Sequence, residues 1–299
     1  MALLRRKVSD PASALRKELS MPGIVLVPGV FNALLAMMAE RMGFKAVYLS
    51  GAALTASLGL LDIGLITMEE VVRVVRYITD AVSIPVIVDI DTGYGEALNV
   101  ARAVREMEKA GAAAVQLEDQ VLPKKCGHLK GKSLVPPSDM AKKVRMAAEA
   151  RENSDFVIIA RTDAMGVTGF EDAVERARLY LEAGADVIFP EALESEEEFI
   201  EFAKRVRAPL LANMTEFGRS PLIPAKRLGE IGYKFVIYPV TLLRIMMASA
   251  REALSLIAQQ GTQEALVPKM LTRKELYELI GYYEYEELDR RVSQEVEGR

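Results

Sequence analysis

Cysteine and histidine are almost missing from this chain: Cys126 and His128 are the only residues of their kinds among 299. A lone thiol closes no intramolecular disulfide, and one thiol with one imidazole cannot build a thiolate or His-rich zinc site, or most triads that need a separately supplied imidazole. Any metal must be hard and oxygen-bound. An excess of one charge is missing too, since 38 Lys and Arg stand against 42 Asp and Glu, a formal charge of -4 with no basic block to hold nucleic acid. No apolar run approaches the roughly 18 residues of a membrane span, and the first twenty residues, with a short apolar stretch and an early Asp, are unlike a secretory signal. A cytoplasmic protein without nucleic-acid or membrane partners is expected. Only four Asn and six Gln occur, a shortage of thermolabile amides of the kind seen in heat-adapted proteins.

What is present is globular: 51% of residues are apolar and 27% charged. A chain this long buries roughly 75% of its unfolded surface, so its core needs no staple. Short β-branched runs recur at 24–27, 46–49, 86–89, 114–117, 157–160, 187–189, 210–212 and 235–238. Stretches with helical periodicity lie between them, as at 67–80, 99–110, 139–151 and 170–183. Eight such units in about 260 residues predict an α/β fold, a (β/α)8 TIM-type barrel, rather than an open doubly wound sheet. No glycine-rich nucleotide turn follows the first strand, and Gly93-Tyr94-Gly95 lacks a third glycine where Leu98 stands. The expectation is one barrel domain over 1–299, with an N-terminal helical segment at 1–20 and, after the helical stretch 242–260, a C-terminal helical extension at 261–299.

Active sites of such barrels are built at the carboxyl ends of the strands. The residues there are Ser50, Asp89, Asp91, Glu118, Asp119, Arg161, Asp163, Glu191, Asn213 and Thr215. Several carboxylates around one cavity cost too much unless a cation neutralises them. Asp89 and Asp91, with Glu118 from the next strand and Asp62 from the loop after the second, offer oxygen ligands that suit Mg2+, with Mn2+ as a substitute. The bland alternatives are that Asp89 and Asp91 cap a helix or turn, and that Glu118 and Asp119 are an ordinary loop pair. Cys126 could be a small core residue, but flanking cations and the nearby Gly127 and Gly131 favour an exposed thiol of low pKa on a mobile lid. Arg161 could pair structurally with Glu191 or clamp a substrate carboxylate with its planar fork.

Asp89-Ile-Asp91-Thr-Gly-Tyr-Gly95, Glu118-Asp-Gln120 and Lys124-Lys-Cys-Gly-His128 together resemble the isocitrate lyase and phosphoenolpyruvate mutase superfamily. The likeness runs from Val27-Pro-Gly-Val30 into the tail. The Cys-Gly-His loop resembles the carbon-carbon lyase side, where phosphonate mutases carry an Asn-Ser pair. Phe189-Pro-Glu-Ala192, Asn213-Met-Thr-Glu-Phe-Gly218, Thr272-Arg-Lys-Glu-Leu-Tyr277 and Tyr282-Tyr-Glu-Tyr-Glu286 resemble the compact branch that splits a methyl-bearing tricarboxylate.

The resemblance implies a Mg2+ site at Asp89 and Asp91, with Asp62 and Glu118 acting through water. It implies substrate contacts at Ser50, Gly51, Ala52, Gly127, Arg161, Glu191, Asn213, Thr215, Arg244 and Arg273, although the family more often has Ser-Gly-Gly where this chain has Ser-Gly-Ala. Phe189, Ile237 and Pro239 would shape a pocket for the methyl group. Tyr48 would help deprotonate the substrate hydroxyl, and Cys126 would act as acid with its pKa lowered by Lys124, Lys125 and His128. The implied reaction is a retro-aldol-type cleavage to pyruvate and succinate. Isocitrate cleavage, oxaloacetate hydrolysis, carboxyphosphoenolpyruvate rearrangement and a metabolite-binding barrel without turnover are the alternatives. A homotetramer with an exchanged terminal helix is also implied.

Overall fold

The computed structural model describes residues 10–297. Its strands are β1 (Val25–Val30), β2 (Val47–Leu49), β3 (Val86–Asp89), β4 (Ala114–Glu118), β5 (Val157–Thr162), β6 (Val187–Pro190), β7 (Leu211–Asn213) and β8 (Phe235–Tyr238). The helices are α1 (Pro11–Ser20), α2 (Ala33–Arg41), α3 (Gly51–Ser57), α4 (Met68–Ala81), α5 (Ala97–Lys109), α6 (Pro137–Ala150), α7 (Phe170–Glu182), α8 (Glu196–Arg205), α9 (Ala225–Ile231), α10 (Thr241–Gln260), α11 (Arg273–Ile280) and α12 (Tyr282–Glu297). All strands pair in parallel, in the order β6-β5-β4-β3-β2-β1-β8-β7. A parallel bridge between Ile188 and Leu210 joins β6 to β7, so the sheet closes into the expected barrel.

Side chains alternate across each strand with a period of two, and this divides the core. Val25, Val27, Tyr48, Ile87, Val157, Ile159, Val187, Phe189, Leu211, Phe235 and Ile237 fill the barrel. Their neighbours Val47, Leu49, Val86, Val88, Val115, Leu117, Ile158, Ile188 and Val236 face the surrounding helices. The N-terminal segment is helical over α1, capped by the Asp10 side chain, and residues 1–9 lie outside the described residues. Leu15 of α1 belongs to the interior cluster and is fully buried, so this helix stoppers the barrel mouth opposite the functional strand ends.

Several strands run one to three residues further than the apolar pattern suggests. β1 continues through Pro28 and Gly29, where a side chain on Gly29 would run into the Pro239 backbone. β4, β5 and β7 end on Glu118, Arg161-Thr162 and Asn213, which places polar site residues on rigid strands rather than in loops. Within α10 no residue is buried, and the chain continues through α11 and α12, with 298–299 outside the described residues. No helix among the described residues is long and apolar enough to cross a membrane.

Candidate active site

The alternation that packs the barrel also builds the site. Carrying the inward parity past the top of the apolar core gives Ser50 after Tyr48, Asp89 after Ile87, Arg161 after Ile159, Glu191 after Phe189, Asn213 after Leu211 and Pro239 after Ile237. These residues wall a cavity of ≈ 250 Å³, with Ala52, Asp62, Thr215 and Arg244 at its rim and Lys124 to His128 across its mouth. Gly51, Asp91 and Glu118 sit one layer behind the wall. Arg273, the first residue of α11, does not reach the cavity within this chain, contrary to its expected substrate contact.

On one side four carboxylates face a single ammonium. Lys124 Nζ pairs with Asp62 Oδ1 and lies 2.7 Å from Asp91 Oδ1, an ion pair by distance without hydrogen-bond alignment. Burial acts to lower the Lys124 pKa, but Glu118, Asp91, Asp62 and Asp89 override it and hold the residue well above its ordinary value. Burial pushes Asp91 up to about 6, against the pull of Lys124. Neither Asp89 nor Asp91 caps the next helix, since the N-cap of α5 is Glu96. Instead Asp89 Oδ1 accepts from Asp91 N and its Oδ2 from Gly51 N, while Asp91 holds a left-handed φ of 50°. Such strain collects at functional sites.

Does this set suit a divalent cation? Among the described residues no three Asp, Glu, His or Cys side chains converge as a ready-made metal cluster. Mg2+ needs only one or two direct carboxylates and keeps several waters. The donors are all hard oxygens, Glu118 is buried, and neither of its carboxylate oxygens has a hydrogen-bond partner. The donor chemistry therefore fits the ion, with Lys124 as the present counter-charge.

Glu118, Asp119 and Gln120 are consecutive, and each has a separate task. Glu118 points inward, where its Oε2 lies 3.2 Å from Arg161 Nη1. Asp119 has the opposite parity and belongs to no metal site. Its Oδ2 accepts from Thr162, Tyr180 and Arg176, and its Oδ1 from Asp163 N, so for this residue the structural alternative holds. Gln120 pins the loop, donating to Lys125 O at 2.8 Å and accepting from Lys125 N at 2.9 Å.

Arg161 is the hub of the other side. Its Nε and Nη2 form a fork on Asp163 at 3.0 Å each, and Nη1 reaches Glu191 Oε2 at 3.4 Å. It lines the cavity as well, but its fork is taken by Asp163, and the expected pairing with Glu191 is present. Glu191 is buried, which alone would raise its pKa, yet Arg161 and His128 hold it down at about 2. Asn213 Nδ2 donates to Glu191 Oε2 at 3.2 Å, while its Oδ1 has no partner beside the cavity. Ser50 accepts from Ala53 N and so also caps α3.

The Cys126 loop is docked over this hub. His128 Nδ1 accepts from Arg219 N at 3.0 Å, which assigns the ring proton to Nε2, 3.0 Å from Glu191 Oε1. Cys126 is open to solvent at the mouth but crowded on its inner side. That burial raises its pKa; Arg161 and a backbone hydrogen bond from His128 pull down, and Glu191 and Asp62 push up. The expected low-pKa thiol is therefore corrected: burial outweighs the groups that lower it, and Lys124 is turned away toward Asp62 and Asp91. Tyr48 also departs from expectation. Burial and Asp89 hold its hydroxyl well above the ordinary value, and it donates to Gln116 Oε1 at 2.6 Å, so it keeps its proton rather than acting as a base in this state.

Two participants escaped the sequence reading. Gln116 shares the inward parity of Glu118 within an apolar strand, a signal that was legible. Lys132 Nζ, fully buried, donates to Gly127 O and lies 2.8 Å from Asp163 Oδ1. Its only sequence mark is a place beside Gly131 in the same loop.

A closed barrel with an acidic cluster, an arginine hub and a thiol-bearing loop at its carboxyl end defines a class. The family model for phosphoenolpyruvate phosphomutase matches residues 15–258, and the chain belongs to the phosphoenolpyruvate mutase/isocitrate lyase superfamily. The chain is 56% identical to a 2-methylisocitrate lyase of Aeropyrum pernix over 295 residues, 99% of this chain and 95% of that protein. Among solved structures, 2,3-dimethylmalate lyase matches with a TM-score of 0.90 and 36% identity over 95% of this chain and 96% of that one. Phosphonopyruvate hydrolase in complex with oxalate and Mg2+ matches at 0.86 and 31%, over 95% and 99%.

Proposed function

We propose that this chain is a Mg2+-dependent 2-methylisocitrate lyase, a carbon-carbon lyase that splits (2R,3S)-2-methylisocitrate into pyruvate and succinate. One observation carries the reading: the Cys126 loop, docked on Arg161 and Glu191, lines one cavity with Asp62 and Asp89, and Asp91 stands just behind that wall. Asp89 and Asp91 would hold the ion, with Asp62 and Glu118 reaching it through water, and it would supply Lewis acidity beside the substrate hydroxyl. Tyr48 orients that hydroxyl, and the proton the hydroxyl loses passes through water to Asp62, a carboxylate that lines the cavity beside the ion site. Ser50, Gly51 and Ala52 border the end that becomes pyruvate, and Arg161, Asn213, Thr215 and the half-exposed Arg244 bind the succinate half.

Cleavage leaves negative charge on the succinate half, which the fixed donors around Arg161 stabilise without reorganising. Cys126, kept protonated by its surroundings, gives its proton to the succinate carbon, a step worth about 10²- to 10⁴-fold. Phe189, Ile237 and Pro239 present the apolar surface against which the extra methyl group packs. That contact is worth about 1–3 kcal/mol of discrimination.

The same proposal takes the chain as one cytoplasmic barrel domain that assembles as a homotetramer, with its terminal helices exchanged between subunits. Support comes from α10, where Met246, Met247, Leu254 and Ile257 share one face and are 44%, 61%, 68% and 44% exposed, an apolar surface that a neighbouring subunit would cover. Light scattering reads that mass directly. The activity is tested by product release from 2-methylisocitrate and from isocitrate, with and without Mg2+. Pyruvate from the first substrate, dependent on Mg2+, is expected; glyoxylate from the second as the main product, or turnover indifferent to chelator, would overturn the reading.

A further inference from the structure

Lys132 stands on the return limb of the loop that carries Cys126, and no part of its side chain reaches solvent. A buried ammonium persists only where it is paired and hydrogen-bonded. Its two partners belong to different parts of the site: Gly127 O, next to the thiol, and Asp163 Oδ1 at the end of β5, 2.8 Å away. Asp163 is itself fixed, since its backbone N donates to Asp119 Oδ1 at 2.9 Å and its carboxylate takes the two-pronged fork of Arg161. Below the loop, Val121 N donates to Ser133 O and Val135 N to Asp119 O, so the stem is zipped and only the segment above it can lift.

We infer that Lys132 is a positioning residue that latches the Cys126–His128 segment shut and, through Asp163, ties the closed position of the thiol to the orientation of Arg161. The inference rests on the proposed lyase reaction for its kinetic consequence, but the latch itself belongs to the ligand-free protein. Lifting the segment breaks the Gly127 contact and leaves a buried ammonium short of one acceptor. Removing the ammonium frees the segment and leaves Asp163 to Arg161 alone. One cation therefore couples the general acid to the arginine that binds the half of the substrate to which the proton is given. The bland alternative is a lysine that only fills space beneath the loop.

The test uses the full chain with Lys132→Met, Lys132→Arg and Asp163→Asn, and Lys132→Gln as a second neutral variant should the methionine protein not fold. Hydrogen exchange of ligand-free protein is compared between peptides spanning 122–132 and 157–162. The neutral variants are expected to exchange at least about 10-fold faster in the loop peptide and unchanged in the strand peptide, as for local opening rather than unfolding. A thiol displaced by about 1 Å should lower kcat about 100-fold while KM moves far less. Arginine should restore much of both, and adding Lys132→Met to Asp163→Asn should cost little more, because both break the same link. Loop exchange equal to the unmodified chain, or arginine failing as completely as methionine, would overturn the latch. If the unmodified chain releases no pyruvate from 2-methylisocitrate, the functional reading fails, and the exchange comparison still decides the latch.

Discussion

Gly127→Ala adds one methyl group at the tightest point between the loop and the barrel. A Cβ there would lie 2.7 Å from Glu191 Cδ and closer still to Glu191 Cγ and Arg161 Nη2. Neither neighbour can yield: Arg161 is forked onto Asp163, and Glu191 is held by its backbone to Thr162 O and by its carboxylate to Ala192 N and His128. Taking the Glu191 contact alone from 2.7 Å to an ordinary 3.4 Å moves the loop by 0.7 Å, and the closer atoms demand more. A displacement of about 1 Å in a catalytic group costs about 100-fold in rate, or ~2.7 kcal/mol. Gly127 does not occupy the left-handed backbone region, so the backbone itself tolerates alanine; the cost is the undocking of the loop, and the melting temperature should not rise. Pyruvate release followed continuously, with thermal melting alongside, checks both halves. Turnover within about threefold of the unmodified chain, despite the two blocked contacts, would refute loop docking as the catalytic geometry.

Two further outcomes follow from the electrostatics. Because burial raises the Cys126 pKa above its ordinary 9.0, the acid form persists through neutral pH. Cleavage should hold steady as pH rises through 7 and fall only beyond 9, when the proton is lost; a decline centred below 7 in the pH-rate profile would contradict the protonated thiol. Asp119→Ala removes the acceptor of Thr162, Tyr180 and Asp163 N and leaves Arg176 with Asp172 as its one carboxylate, so urea unfolding should show a loss of about 1–3 kcal/mol from the buried donors left unpaired. The Mg2+ concentration for half-maximal activity should not change, and a raised Mg2+ requirement with unaltered stability would return Asp119 to the metal site.

Much of the site was legible because two periodicities coincide. Apolar runs mark the strands, and the same period of two, carried past their ends, selects Asp89, Glu118, Arg161, Glu191 and Asn213 as inward while turning Asp119 outward. Reading the strand ends as a list, without parity, is what put Asp119 beside Glu118. The Cys126 environment was not legible, because neighbours in sequence are not neighbours in charge: Lys124 is two residues away but spends its ammonium on Asp62 and Asp91. Lys132 was invisible for the same reason, since a loop lysine ordinarily faces solvent and only the folded loop brings it to Asp163. For Arg273 the motif match in the tail carried no information about where α11 sits relative to the cavity.

The central claim is that the thiol of Cys126 supplies the proton in a reaction whose substrate is held by other groups. Cys126→Ser, assayed for pyruvate release and by titration calorimetry with Mg2+ and 2-methylisocitrate, separates the two. Binding close to that of the unmodified chain with turnover lower by at least about 100-fold is predicted. Turnover near normal in the serine protein would contradict it.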